Sequence, residues 1–406
     1  MSETTLQVDC CIAGGGPAGM MLGLLLARAG VAVAVLEKHR DFLRDFRGDT
    51  IHPSTLELLD ELGLLDAFLA LPHQKAERLG AQVGDEAVTV ADFTRLKTKC
   101  PYIAFVPQWD FLDFLARQAK TYAGFQLHMQ AKAVALREHD GVVTGLTAQT
   151  PDGELAVRAR LVVGADGRTS KVRAKSGLIP MVLGAPMDVL WFRLPRRPGD
   201  PAQPMGRFDA GRIFILINRG DYWQCGFVIA KGSADGLRTR GLAAFRDSLS
   251  RLVPFLADRV DTLADWEQIK LLTVAVDRLE RWYRPGLLCI GDAAHAMSPV
   301  GGVGINLAIQ DAVAAANILA EPLRQGTLQV EHLRQVQRRR LLPTRIIQRL
   351  QVIAQNRIIS RVLGSDRPLR LPALARALLR LPFVRGLPAR LIGFGIRREH
   401  IRIQVD

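Results

Sequence analysis

Few cysteines are present, and no pattern joins them. Cys10, Cys11, Cys100, Cys225 and Cys289 are scattered, odd in number, and form no C-x-x-C. That spacing excludes a disulfide framework, a thioredoxin-type redox pair and a structural zinc site. Cys10, Cys11 and Cys289 fall in apolar, strand-like runs, where buried thiols are expected. No uninterrupted apolar run in the 406 residues approaches the roughly 20 needed to span a membrane. The N-terminal Met-Ser-Glu-Thr-Thr leads straight into an apolar strand and reads as no secretory signal. A reducing cytoplasm is therefore the expected setting. Lysine is absent from Arg324 to the end, where 18 arginines face four acids. The preceding residues balance 36 bases with 36 acids, so the whole net charge of +14 lies in the last fifth of the chain. A sequence pI near 10.1 thus marks one basic C-terminal region and does not indicate a nucleic-acid-binding body. Hydrophobic residues at 48% and charged residues at 23% are ordinary for a globular protein, and the length predicts more than one packed lobe.

What is present begins at residue 8. Val8 to Ala13 reads as a short buried strand, and Gly14, Gly16 and Gly19 follow with the spacing G-x-G-x-x-G. A helical run from Ala18 to Ala29 comes next, then a second apolar strand from Val31 to Leu36. It ends on Glu37, 23 residues after Gly14. Such a unit suits a dinucleotide. Gly14 permits the tight turn, Gly16 lets backbone amides approach a pyrophosphate, and Gly19 lets helix and strand pack closely. The positive end of the helix attracts phosphate, and a terminal acid can accept hydrogen bonds from ribose. The glycines alone would be a weak signal; strand, helix, second strand and acid in register make it a strong one.

Two later strands end in similar chemistry. Val142 to Thr150 and Ala156 to Val163 read as a hairpin turned by Pro151-Asp152-Gly153. The second leads into Gly164-Ala165-Asp166-Gly167 and the basic stretch through Arg173, where Asp166 can hold a ribose hydroxyl or simply structure the turn. Gly286 to Ile290 is a third apolar strand, ending in Gly291-Asp292. Pro299-Val300-Gly301-Gly302-Val303-Gly304-Ile305-Asn306 then opens an alanine-rich helix to about Leu319. A glycine-rich helix start presents free amides to an anionic group. Between these motifs, residues 180 to 275 read as a strand-dominated lobe, with Val189 to Leu194, Arg212 to Asn218 and Trp223 to Ala230 as antiparallel strands and Leu242 to Leu256 as one amphipathic helix. Pro53 opens a helix carrying Leu56, Leu59 and Leu62, and Pro107-Gln108-Trp109-Asp110 opens another.

Taken together, Gly14 to Glu37, Gly164 to Arg173 and Gly291 to Asn306 resemble the three FAD fingerprints of the group A flavoprotein monooxygenases, the para-hydroxybenzoate hydroxylase-like family. The resemblance covers roughly residues 5 to 320 in motif order. It implies an α/β fold in which a Rossmann-like FAD-binding domain is interleaved with a β-sheet-rich substrate domain, followed by a C-terminal helical region. The expected boundaries are 1–75, 101–179 and 276–323 for the first, 76–100 and 180–275 for the second, and 324–406 for the third. FAD would be bound by Gly14, Gly16, Ala18, Gly19, Glu37, Lys38, Arg47, Gln108, Asp166, Arg173, Gly291 and Asp292, and along its ring by Pro299, Gly302, Gly304, Ile305 and Asn306. Pro299, Gly301 and Gly302 would mark the reacting face. Gln108 stands where many members carry arginine. A single G-x-G-x-x-G implies that NAD(P)H binds transiently, and the absence of Trp-x-Trp-x-Ile-Pro argues against the related halogenases.

The implied activity is a monooxygenase that uses NAD(P)H and O2 to hydroxylate an aromatic, polyketide-like or quinone-like molecule through a flavin C4a-hydroperoxide. The alternative is a reductase or dehydrogenase of the same fold acting on a lipophilic substrate without oxygen insertion. No metal and no nucleic acid are expected. In the basic tail, Ile346, Ile347, Leu350, Ile353, Ala354 and Ile358 recur at helical spacing among Arg345, Arg349, Gln355 and Arg361. They predict either helices covering the FAD domain or a homodimer contact, or else a surface for anionic lipid.

Overall fold

The computed structural model describes residues 4–43, 50–201, 204–365, 376 and 382–403. Its organising element is the strand Thr4–Ala13. It pairs in parallel with Gly153–Gly164 on one side and Val33–Leu36 on the other. Leu287–Cys289 continues the parallel sheet beyond the first, and Phe125–His128 beyond the second. Strands covered on both faces read as unbroken apolar runs, which is why Cys10–Ala13, Val33–Leu36 and Leu161–Val163 carry no alternation. Val142–Thr150 and Lys132–His139 extend the sheet antiparallel from Gly153–Gly164, and Tyr283–Arg284, antiparallel to Leu287–Cys289, completes eight strands. The helix Pro17–Arg28 packs against both Gln108–Ala119 and Gly304–Arg324. With its preceding turn, this last helix is long and apolar enough to cross a membrane, yet 72% of its apolar window is buried inside the protein. It is a core helix.

A second sheet of seven strands is built in the order Lys270–Leu272, Met187–Pro195, Tyr222–Ala230, Arg212–Asn218, Met205–Asp209, Arg78–Val83 and Glu86–Asp92. Here alternation is clear. Leu190, Phe192, Leu216, Trp223 and Phe227 pack on the helix Leu242–Leu252 through Phe245 and Leu249. Val189, Trp191, Ile213, Ile215 and Val228 take the opposite face and meet Val300, Ile359 and Val362. The helix expected to reach Leu256 stops at Leu252 because Pro254 follows: Val253 is forced out of helical geometry, and Pro254–Leu256 forms a separate 3-10 turn.

The C-terminal run differs most from its reading as an apolar-inward helix. Val330–Ala354 continues through a five-residue π-turn, Gln355–Ile359, into Ser360–Leu363. Of the aliphatic series, Ile347 is buried, whereas Leu350, Ile353 and Ile358 are exposed. Beside Leu333, Val336 and Ile347, the buried stripe carries a run of polar side chains: Gln337, Arg340, Thr344, Gln348, Gln351 and Gln355. These side chains serve the backbone of the segment 277–300. The Gln337 amide donates to Glu280 O (2.8 Å), Gln348 to Asp277 O (2.8 Å) and Ala296 O (3.1 Å), and Gln351 to Ser298 O (3.0 Å) and Val300 O (2.9 Å). Much of that segment lies outside regular strands, so its buried carbonyls need donors from elsewhere, and the glutamines supply them.

Candidate active site

Three strand ends meet at one place. Gly14 adopts φ +110°, and a Cβ there would lie 2.4 Å from Ala165 O and 2.7 Å from Asp166 Cα. Backbone meets backbone at that point, so only glycine fits. Ala165 N–H donates to Ala13 O (2.8 Å), and Ile290 N–H donates to Gly164 O (3.0 Å). Gly291, at φ +56°, closes the group: a Cβ there would come within 3.3 Å of Ala18 Cβ and 3.1 Å of Ala308 Cβ. Thus residues 14–19, 164–167 and 291–292, far apart in sequence, surround the start of Pro17–Arg28. Gly19 is held by packing, since its Cβ would strike Gly14 O at 1.9 Å. Gly16 differs: its φ is an ordinary −74°, and a Cβ there meets nothing within 4 Å. The space in front of the helix is open. Its first turn has no acidic residue and no side-chain cap, so its amides and dipole face that space uncompensated. These features fit a pyrophosphate.

Glu37 is buried beside the same turn. Its Oε2 accepts Gly15 N–H (3.0 Å) and its Oε1 accepts His39 N–H (3.1 Å). Lys38 is exposed. Gln108 is the first residue of Gln108–Ala119 and is half-buried. Arg47 lies outside the described residues. Asp292 is half-buried and 3.5 Å from Arg168 Nη2.

Several expected ligand groups have internal partners instead. The Asp166 carboxylate accepts Lys171 N–H (2.7 Å), Val172 N–H (3.2 Å) and the Ser170 hydroxyl, which fixes the start of Lys171–Lys175. Arg173, expected among the FAD-binding residues, is engaged within the protein. Its guanidinium donates to Asp277 (3.1 Å), Ala293 O (3.4 Å) and Arg168 O (2.7 Å), stapling the second motif to the third. Asn306 is buried and turned away from the helix start. Its Oδ1 accepts His52 N–H (2.9 Å) and the Thr55 hydroxyl (2.8 Å), and its Nδ2 donates to Thr50 O (3.0 Å). Thr50 Oγ1 in turn donates to Gly302 O (3.1 Å). The loop itself is sharply bent, with Gly301 at φ +79° and Gly302 at φ +62°. Pro299, Gly304 and Ile305 are half-buried and Gly301 exposed. Gly304–Arg324 begins with no side-chain cap and no acid in its first turn, so its free amides point out of the loop.

The sequence reading passed over the groups that hold this loop. Asp311 is fully buried. Its Oδ2 accepts Gly291 N–H (3.1 Å) and faces His295 Nε2 (2.5 Å), while its Oδ1 accepts Arg340 Nε (2.9 Å). Burial pushes the Asp311 carboxyl up, but His295 and Arg340 outweigh it and hold it below the usual range. Arg340 reaches on to Glu399 (3.1 Å) and Arg397 O (3.0 Å). An acid in the middle of the apolar, alanine-rich part of a helix was the available signal, since a buried charge requires a partner. His52 was also missed. Its Nδ1 lies 2.7 Å from Ile392 O, so it carries the proton there, and burial lowers the imidazole pKa to about 4.

A family model described as an FAD binding domain matches residues 7–349. The chain belongs to that family. This FAD-dependent monooxygenase is 34% identical, over 366 residues, to the 6-methylpretetramide 4-monooxygenase of Streptomyces rimosus, covering 89% of this chain and 87% of that one. Its structure is similar to that of the p-nitrophenol 4-monooxygenase of Pseudomonas putida DLL-E4, with a TM-score of 0.77, 20% identity, and 96% of each chain covered. The anhydrotetracycline hydroxylase of Streptomyces rimosus gives a TM-score of 0.74 at 25% identity, covering 96% of this chain and 76% of that one. Some longer relatives are matched over only 60–62% of their length. The relatives described here are oxygenases, which favours hydroxylation over the reductase alternative. FAD is therefore the cofactor of this FAD-dependent monooxygenase, with NAD(P)H and O2 as co-substrates.

Gly16→Asp separates fold from cofactor in this monooxygenase. The apoprotein should fold with an unchanged far-ultraviolet spectrum, because nothing in the protein occupies the space. FAD affinity, read by fluorescence quenching, should fall at least tenfold. His52 gives a pH dependence. Its imidazole stays neutral when folded but charges when unfolded, so stability is full above about pH 6.5 and declines as pH falls towards 4. Between pH 7.5 and 5 the loss should be roughly 2 kcal/mol in urea titrations, and His52→Gln should remove it.

Proposed function

We propose that this monooxygenase hydroxylates an electron-rich, aromatic polyketide-like molecule held between the Pro299–Gly302 loop and the inner face of the seven-stranded sheet. The observation that carries the proposal is the meeting of these two surfaces. Val300 packs in one cluster with Trp191 and Ile215 of the sheet. The Trp191 indole lies across Gly226, whose Cβ would come within 3.0 Å of the ring, and so presents a flat apolar platform. Its Nε1–H is buried with no hydrogen-bond partner among the described residues, a donor available to a substrate oxygen.

The roles of the remaining residues are proposed on the same geometry. Gly14, Gly16, Ala18 and Gly19 admit the pyrophosphate, and Glu37 holds the adenosine ribose. Asp292, beside Gly291, takes the ribityl end, with Gln108 at the opposite wall. Bound FAD supplies reduction by NAD(P)H and activation of O2. The free amides at the start of Gly304–Arg324 stabilise negative charge on the ring edge, while Pro299, Gly301 and Gly302 bound its reacting face. The aliphatic residues around Trp191 exclude water so that oxygen is delivered to substrate. The FAD-binding segments 1–75, 101–179 and 276–323 and the substrate segments 76–100 and 180–275 then divide the labour. Peripheral contact of the arginine-rich C-terminal region with a membrane belongs to the same proposal and suits a lipophilic substrate. A homodimer through that region is disfavoured, because like charges would meet. Five buried, unpaired cysteines suit a cytoplasmic setting.

A panel of polycyclic phenols and quinones, assayed by stimulated NADPH oxidation under labelled dioxygen, tests the reading. The expected product contains one labelled oxygen atom. Stoichiometric peroxide with no oxygenated product from any member, or product formed without oxygen, contradicts it.

A further inference from the structure

We infer that the outer face of the helical run Val330–Leu363 is a docking surface for an anionic lipid bilayer. The inference rests on the membrane contact proposed above and gives it a location. Arg338, Arg345, Arg349, Arg357 and Arg361 are all exposed, and with Leu342 and Ile353 between them they recur every three or four residues. The π-turn at Gln355–Ile359 accommodates an extra residue, so Ile358 and Arg361 return to the same side. Leu342 is 57% exposed, Ile353 48% and Ile358 55%.

Three observations select the occupant. First, none of these five guanidinium groups has an ion-pair partner among the described residues, and the sequence from His332 to Ser365 contains no acid. Elsewhere arginines are routinely paired, as Arg339 is with Glu399 at 2.8 Å and Arg398 with Glu57 at 2.8 Å. Second, the helix turns glutamines and Arg340 inward beside Leu333, Val336 and Ile347, yet leaves Leu342, Leu350, Ile353 and Ile358 exposed. Packing within the protein does not explain those aliphatics. Third, charge and apolar surface are interleaved on one face. A nucleic acid would satisfy the arginines and leave the aliphatics in water. A second copy of the face would cover the aliphatics and oppose five cations to five. A bilayer rich in phosphate head groups satisfies both, with guanidinium groups at the phosphates and the aliphatic side chains in the acyl boundary. The same run turns Ile359 and Val362 onto the sheet face that carries Trp191, so the membrane side and the substrate side belong to one element.

The test uses the FAD-loaded enzyme and sedimentation with vesicles of phosphatidylcholine alone or of equal parts phosphatidylcholine and phosphatidylglycerol. The expected result is binding to the anionic vesicles at low salt, weakened at high salt, with little binding to the neutral ones. Arg345→Ala with Arg349→Ala should weaken it roughly twenty-five-fold, about fivefold per arginine, and Ile353→Ser should weaken it further. Both variants should keep their flavin and melting temperature, since the altered side chains are exposed and make no hydrogen bond or ion pair among the described residues. Absence of wild-type binding overturns both the surface and the membrane proposal. Binding that the variants leave unchanged overturns this face alone. A concentration-dependent dimer abolished by the same substitutions assigns the face to self-association and overturns the inference as well.

Discussion

The structure depends on a place where backbone touches backbone. Gly14 turns with a positive φ against the Ala165 carbonyl, and no side chain can enter between them. That contact brings the end of Thr4–Ala13 against the end of Gly153–Gly164, and the pairing of the latter with Leu287–Cys289 brings in the third strand end. Parallel strands require long crossovers, so their ends gather loops from distant parts of the sequence. Ligands bind at such carboxyl ends. The site of this monooxygenase follows from sheet topology first and from individual side chains second.

Charge buried behind the site keeps it in shape. Asp311 accepts the Gly291 amide and is itself balanced by His295 and Arg340, and Arg340 is tied to Glu399 near the end of the described chain. Removing one partner from a buried pair of this kind costs about 3–5 kcal/mol, because the other is left uncompensated. The C-terminal segment is therefore part of the active-site scaffold. It closes over His52 through Ile392 and contacts the loop, where a Cβ on Gly301 would lie 3.9 Å from Ile392 Cγ1.

Much of this was legible in the sequence. Glycine spacing gave the three turns, because positive φ and backbone contact leave a residue-type signature. Apolar runs gave the parallel strands, and alternation gave Arg212–Asn218 within its observed bounds. Side-chain direction was less legible. Asp166, Arg173 and Asn306 sit in the motifs that named the family, yet their polar atoms are used internally, by partners up to 256 residues away in the case of Asn306. Arg340 stands in a run of three arginines that reads as solvated charge, yet it is fully buried. Glutamine carries little periodicity signal, so the buried stripe from Gln337 to Gln355 was hidden beneath the aliphatic pattern that faces outward. These orientations are set by what a distant backbone needs, and no local window contains that information.

The central claim is that three separated segments close on one dinucleotide. Amide hydrogen exchange of the apoprotein, with and without added FAD, measures this most directly. The account predicts that one titration protects residues 14–19, 164–168 and 291–306 together, with a common midpoint. Protection confined to residues 14–19, or different midpoints for the three segments, would contradict it.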